Sequence, residues 1–362
     1  HRDLHSFPTR RSSDLTLTFP AEAVRLAVRE FTDKYGPGGK SKLIRNHILK
    51  NFYAFELMLA PYAIGHLKMS LIFEELGYRL GDDERFKSFL TNALEIEDLD
   101  QTNIPGLSSL SKESHLAATV KKEQSVLVML GNPPYSGMSA NPGERIVPVR
   151  TGEKYITGYY WDPLKNAVGR KFRTNTGKET SKKQKTFIGD LLMDYYFIDG
   201  EKLNEKNPKW LQDDYVKFLR FAQWKIQQAG LGIIGMITNH SYLDNPTFRG
   251  MRRNLMNTFN EIYILNLHGN SLKKETSPDG TKDENVFDIR QGTAIAIYMR
   301  MPGKTGCSMF YGDLFGLREA KYDGLKSNDL TTINWRAIYP EAPFYIFGSQ
   351  DMSGSKDYLK WK

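Results

Sequence analysis

Residues 131–135 read Gly-Asn-Pro-Pro-Tyr and close an apolar run, "VLVMLG" (126–131). A buried strand that ends on an amide, two prolines and a phenol is suited to gripping a planar amino group. The lone pair of an exocyclic amine on a base is delocalised into the ring, so the nitrogen is a poor nucleophile. Two acceptors aimed at its two hydrogens, the Asn132 side-chain oxygen and the Pro133 carbonyl, would draw it towards tetrahedral geometry. Pro133 and Pro134 restrict φ and remove competing N–H donors, which holds the carbonyl direction. Tyr135 offers a stacking face worth about 1–3 kcal/mol per base, of the size needed to offset the few kcal/mol of extruding one. A sulfonium methyl is a suitable electrophile, because its leaving group is a neutral thioether and needs no metal.

The elements around this tip alternate. Helical spacing runs from Pro20 to Lys34, and "GPGGKS" (36–41) follows a helix rather than a strand, so it reads as a helix stop and linker, not a phosphate loop. "NFYAFEL" (51–57) and "FKSFLTNAL" (86–94) are strand candidates, with a helix from about Pro61 to Leu76 between them. "SVLVMLG" (125–131) is the most buried-looking strand, since continuous apolar runs suit a parallel sheet. A polar insertion fills about 138–210. After it come a helix (213–230), a strand (231–239), a helix (248–259) and two strands (261–269, 291–300), the last two joined by a polar loop that allows one to run antiparallel. Strands alternating with helices predict an α/β fold with a parallel, doubly wound sheet.

Bulk composition narrows the function. No apolar run reaches the roughly 20 residues of a membrane helix. The single cysteine, Cys307, excludes an internal disulfide and fits a reducing, cytoplasmic setting. The seven histidines show no metal-ligand spacing. The formal net charge is +8. Between Lys165 and Lys185 eight basic residues, including Lys171, Arg173, Lys182 and Lys183, face one acid, Glu179. That run is either a solvated, mobile loop or a segment that tracks phosphates.

The NPPY tip resembles that of amino-group methyltransferases, above all adenine-N6 DNA methyltransferases. "LQDDYVKFLRFAQWKI", "GIIGMITNHSYLDNPTFRGMRRNLM", "ILNLHGN" and "DENVFDIRQGTAIAI" look like the methyltransferase portion of large single-chain, type ISP-like restriction–modification enzymes, from Thr16 to about residue 345. The resemblance implies a Rossmann-like sheet that uses S-adenosyl-L-methionine, with a long insertion after the NPPY motif. It implies double-stranded DNA with a flipped adenine as partner, catalysis by Asn132, Pro133, Pro134 and Tyr135, ribose binding by Glu56, and Asn92 at the position contacting the cofactor's adenine. Phe287 would pack on the flipped base, and Lys171, Arg173, Lys182 and Lys183 would contact DNA. His240 is expected to be structural.

The family's glycine-rich cofactor loop should precede the first helix, yet only "TLTF" (16–19) stands there. The first, central strand is therefore expected to be missing, and the fragment inactive by itself. Residues 1–15 are set apart, because His5–Leu15 spells a translated sequencing adapter. Residues 16–310 are assigned to the methyltransferase domain, and 311–362 to a linker and the start of a target-recognition region. The nuclease, helicase and target-recognition regions of the parent would lie outside the chain. Protein-glutamine N5 methylation shares the NPPY tip, RNA-guanine methylation is a third chemistry, and a degenerate nucleic-acid-binding scaffold is the non-enzymatic alternative.

Overall fold

The computed structural model describes residues 17–96, 108–135, 139, 141–206 and 208–348. The stretch assigned to the adapter lies outside these residues, as does most of 343–362. The chain divides into two compact units, residues 1–124 and 125–362.

In the first unit α1 (Thr18–Tyr35) buries Ala21, Val24 and Val28, one stripe at three- and four-residue spacing. Gly36, at φ 78°, stops it. The stretch read as a linker instead returns to helix, in consecutive short segments from Pro37 to Asn51, because Ile44, Ile48 and Leu49 join the core made by α1. Gly36 is thus a corner, and the following glycines start a new helix. β1 (Tyr53–Glu56) and β2 (Lys87–Leu90) pair in parallel as a two-stranded sheet, with α2 (Leu59–Glu75) between them in sequence. α3 (Ser108–Glu123), unanticipated, packs Ala117 and Val120 on Phe89.

The second unit is built on a six-stranded sheet in the order β14-β13-β11-β12-β10-β3. Its strands are β3 (Val128–Gly131), β10 (Gly232–Asn239), β11 (Glu261–His268), β12 (Thr293–Arg300), β13 (Ser308–Asp313) and β14 (Arg336–Ile338). β10 pairs with β3 in parallel, as β11 does with β13, while β12 runs antiparallel between β10 and β11. The fold is therefore mixed α/β with a mixed sheet. The expected boundary after residue 310 falls inside β13, whose pairing carries the sheet on to β14.

Below the sheet, α4 (Phe187–Leu191), α5 (Asp214–Ala229) and α6 (Arg249–Thr258) supply the helical layer, and Leu219, Ile226, Met251 and Leu255 pack against Ile234, Ile262 and Ala296. Gly230, at φ 78°, ends α5. Arg252, fully buried, donates to the carbonyls of Tyr242, Asn245, Phe344 and Tyr345, and burial lowers its pKa to about 9. That guanidinium fastens the segment at 344–345 to α6. α7 (Arg318–Ser327) is held by Lys321, buried against Asp283 at 2.7 Å.

β3 is correctly placed as a strand, but it is not the most buried one. It lies at the sheet edge with Val128 56% and Leu130 50% exposed. An apolar run reports what a strand can be packed against; the neighbours present decide whether it is.

The basic run from Lys165 to Lys185 lies largely in strands rather than in a loop. β4 (Glu144–Val149) pairs with β7 (Thr180–Lys185), and β5 (Lys154–Asp162) with β6 (Ala167–Thr174), so residues 144–185 form a ribbon of two successive two-stranded sheets. The joint between its halves is closed by Asn175, whose Nδ2 donates to the Val149 carbonyl and whose N–H donates to that of Glu153. A short hairpin, β8 (Phe197–Ile198) and β9 (Glu201–Lys202), follows. Among the described residues no helix is long and apolar enough to cross a membrane.

Candidate functional site

Asn132, Pro133, Pro134 and Tyr135 follow the C-terminal end of β3. β10 ends beside them at Asn239, and β11 ends at His268. β12 starts at the same edge, because it runs the opposite way and pairs Thr293 with Asn239. In open α/β sheets ligands bind outside the carboxyl ends of the strands, so this edge is the candidate site of the second unit.

Asn132 is 7% exposed, and its Oδ1 accepts from the Tyr135 hydroxyl at 3.2 Å. That bond helps to fix the amide plane. The Tyr135 ring is half-buried against the main core, which restrains it in turn. Downstream, Ser139 and Asn141 are stitched to the first turn of α5. Asp214 accepts from Ser139 Oγ at 2.5 Å and Asn141 Nδ2 at 2.8 Å, while Lys217 Nζ donates to Ser139 Oγ at 2.7 Å. Asp214 and Lys217 are fully buried, and burial depresses the lysine pKa against the pull of Asp214. Sequence reading missed this clamp, although an Asp and a Lys three apart on one helix were visible.

A polar network locks the ends of β10 and β11. Asn266 Oδ1 accepts from His240 Nδ1 at 3.1 Å and from the His268 N–H, while its Nδ2 donates to Tyr311. Asn270 Oδ1 takes the N–H groups of Leu272 and Lys273, so its Nδ2 must be the group 3.0 Å from His240 Nε2. His240 is therefore neutral, with the proton on Nδ1, and burial lowers its pKa accordingly. A Cβ on Gly292 would fall 2.3 Å from its ring, so only glycine leaves room for it there. This is the structural role expected of His240.

His268 differs. Burial pulls its pKa down, but the hydrogen bond to Asp313 (2.8 Å) and the ion pair with Glu275 (3.8 Å) more than offset that and leave it raised. Phe315 stacks on its ring at 3.8 Å. Ligand atoms of His240, His268 and Glu275 lie within 4.8 Å of one another, a grouping hidden in sequence by the 27 residues between the two histidines. Both His240 nitrogens are already engaged, so the trio is a hydrogen-bonded brace rather than a ready metal centre.

Phe287 packs half-buried on Leu265, Leu267 and Val286, and its carbonyl accepts from Arg318. Arg318 also donates to the Asn285 carbonyl, so the segment carrying Phe287 is pinned at two points.

In the first unit Glu56 ends β1. Burial pushes its carboxyl pKa up, opposed by the N–H groups of Met58, 2.8 Å away, and Leu57. A carboxylate held in this way at a strand end suits the two hydroxyls of a ribose. Asn92 fits less well. Its Oδ1 accepts from the Leu94 N–H and its carbonyl from Lys121, a buried lysine that also binds Thr91 Oγ1 and the Glu95 carbonyl. Asn92 is the turn that Lys121 fastens. A cleft of about 440 Å³ in this unit is lined by Tyr53 and Lys87, the opposite strand ends from Glu56.

On the ribbon, Lys171 and Arg173 are exposed on β6 and Lys183 on β7. Lys182 is committed internally, donating to Tyr155 Oη at 3.0 Å with its ammonium 4.3 Å from the ring centroid. Arg170 is bound to Asp190.

No family model matches the chain, and no curated protein matches it either. Solved structures do. The chain is similar to the ATP-dependent Type ISP restriction-modification enzyme LlaBIII bound to DNA (22% identity, TM-score 0.67, 94% of this chain and 20% of that one). It is similar to a nuclease-deletion mutant of the Type ISP restriction-modification enzyme LlaGI in complex with a DNA substrate mimic (20% identity, TM-score 0.67, 95% and 24%). A third likeness is to a DrdV–DNA complex (23% identity, TM-score 0.61, 92% and 28%). The chain thus spans about a fifth to a quarter of the length of these proteins. At such identities the likeness is one of fold, and it covers both units.

Proposed function

We propose that the chain is the methyltransferase portion of a larger restriction–modification enzyme, transferring a methyl group from S-adenosyl-L-methionine to the N6 amine of an adenine flipped from duplex DNA. The observation that carries the reading is Asn132-Pro133-Pro134-Tyr135 at the carboxyl end of β3, with the amide oriented by the Tyr135 phenol. Its fold likeness to DNA-bound restriction–modification enzymes supports DNA as the partner. Within a Rossmann-like arrangement, Glu56 would hold the cofactor's ribose, and the bound cofactor supplies the sulfonium methyl. The Asn132 oxygen accepts one amine hydrogen and the Pro133 carbonyl the other. Tyr135 stacks on the base, with Phe287 a further packing surface for it. Lys171, Arg173 and Lys183 bind phosphates, and Lys182 contributes chiefly by stiffening the ribbon.

The test is methyl transfer from labelled cofactor by the enzyme that contains this chain, with DNA and with a glutamine-bearing protein offered together. N6-methyladenine should form, and Asn132→Ala should abolish it while leaving cofactor binding nearly intact. Unchanged turnover in that variant would overturn the assignment. Label on protein glutamine alone would transfer the reading to protein methylation, and absence of both products with intact DNA binding would leave the scaffold.

A further inference from the structure

The ribbon of residues 144–185 ends in a feature that methyl transfer does not use. At its apex, between β5 and β6, Leu164 is 97% exposed, the most exposed large apolar side chain among the described residues. It is not carried on a slack loop. Asp162 Oδ1 accepts from the N–H groups of Leu164 (3.1 Å) and Lys165 (3.4 Å), Pro163 fixes its own φ, and Asn166 takes the left-handed turn at φ 48°. Lys165 Nζ lies 3.7 Å from Asp162 Oδ2.

Behind the apex the ribbon is anchored. Tyr159 Oη donates to Asp190 at 2.8 Å, Arg170 pairs with the same carboxylate, and Trp161 lies against Gly200 in the β8–β9 turn. The ribbon carries eleven basic residues and four acidic ones. A two-stranded ribbon fits a DNA groove, and its positive charge complements phosphate.

We infer that this ribbon is a DNA-binding arm whose Pro163-Leu164 apex wedges between adjacent base pairs of the duplex, unstacking one step. Lys171 and Arg173, exposed further back on β6, hold the flanking backbone. The Asp190 anchor keeps the arm from folding away as the apex is pressed into the stack. Apolar wedges on arms and strands unstack bases at a cost of a few kcal/mol per step, recovered through the added contact. Such a wedge beside an extruded base would lower the cost of extrusion. The inference rests on the DNA reading above, and its test separates the two.

Fluorescence anisotropy of the 362-residue chain is measured with a short labelled duplex and with the same duplex carrying one abasic site, where unstacking is already paid. The wild-type protein is expected to prefer the abasic duplex about tenfold, a ratio equivalent to about 1.4 kcal/mol. Leu164→Ala and Leu164→Ser should bind both duplexes alike, and Leu164→Met should keep the preference. Lys171→Ala with Arg173→Ala should weaken binding to both duplexes equally and reduce the salt dependence, leaving the preference in place. Leu164 is too exposed for its loss to disturb folding. Equal affinities in the wild type, or a preference that survives Leu164→Ala, would overturn the wedge while leaving DNA as the partner. Failure of the wild-type chain to bind either duplex would overturn the arm as a DNA-binding element, while the DNA reading stands or falls on methyl transfer by the enzyme that contains this chain.

Discussion

β3 and β10 lie side by side, run in the same direction and end at the same edge of the sheet, yet their surroundings are opposite. β10 is paired on both sides and buries Ile234, Met236 and Thr238. β3 is paired on one side among the described residues, with Val128 and Leu130 about half exposed. Their ends differ as well. β10 runs into the braced His240–Asn266–Asn270 network, with no space for an added methyl at Gly292, whereas β3 runs through Gly131, where a Cβ would meet nothing closer than 3.9 Å. The NPPY tip is thus carried by the less constrained of two parallel strands, and its rigidity comes from prolines, the Tyr135 bond and the Asp214–Lys217 clamp rather than from the sheet.

The largest expected effect breaks or confirms that contrast directly. Ile234→Ala in β10 should cost about 2–5 kcal/mol, the range for emptying a packed core site. Leu130→Ala in β3, half in solvent already, should stay within about 1 kcal/mol. Urea unfolding of the two variants reads both numbers. Equal losses would mean that the free edge of β3 is covered in solution.

A second, smaller pair addresses the strand ends. Gly292→Ala drives a methyl into the His240 ring and should cost about 1–3 kcal/mol as an overpacked site. Gly131→Ala should be nearly neutral by the same unfolding measurement. If Gly131→Ala proved the costlier of the two, the end of β3 would be the tighter one and the assignment of its stiffness to local bonds would fail.

The same contrast explains which parts were legible in the sequence. "SVLVMLG" announces a strand because continuous apolar residues have few alternatives, but a sequence run carries no record of how many neighbours it has. β10, β11 and β12 were legible because their apolar runs are flanked by glycine, asparagine and charge, and their neighbours are present. The ribbon was hidden by its charge. "KYITGYYWD" and "AVGRKFRT" are rich in β-formers on either side of "PLKN", a hairpin pattern, yet the interspersed lysines and arginines break the apolar alternation that marks a strand. α3 was missed because "SSLSKESHLAATVKKE" is largely polar and has only a weak apolar stripe. At the site, NPPY was legible because its chemistry lies in contiguous residues. The brace around His240 and His268 was not, because its members come from four separate elements and meet only when β10, β11 and β13 are aligned.

The smallest effect lies in that brace and is read as pH dependence. His268 has a raised pKa in the folded chain and stands against Asp313, which also pairs with Arg336, and against Glu275. Its contribution is complete below the unfolded value of about 6.5 and fades as pH climbs through the higher folded value. Asp313 and Glu275 are depressed despite burial, Asp313 through its bond to His268 and Glu275 through its pairing with His268 and the Asn270 N–H, so their contribution stands above the ordinary carboxylate range and fades as pH falls through the folded values. His240 opposes His268, since a buried neutral imidazole with a lowered pKa weakens the fold as the medium acidifies below about 6.5. The raw melting curve therefore mixes two signs, and the informative quantity is the difference between wild type and His268→Gln. That difference should be largest on the acid side of 6.5 and shrink towards alkaline pH, because only the wild type has a proton to lose there. A difference independent of pH would mean that His268 binds its carboxylates as a neutral ring, and that the end of β11 is braced by hydrogen bonds alone, as the end of β10 is.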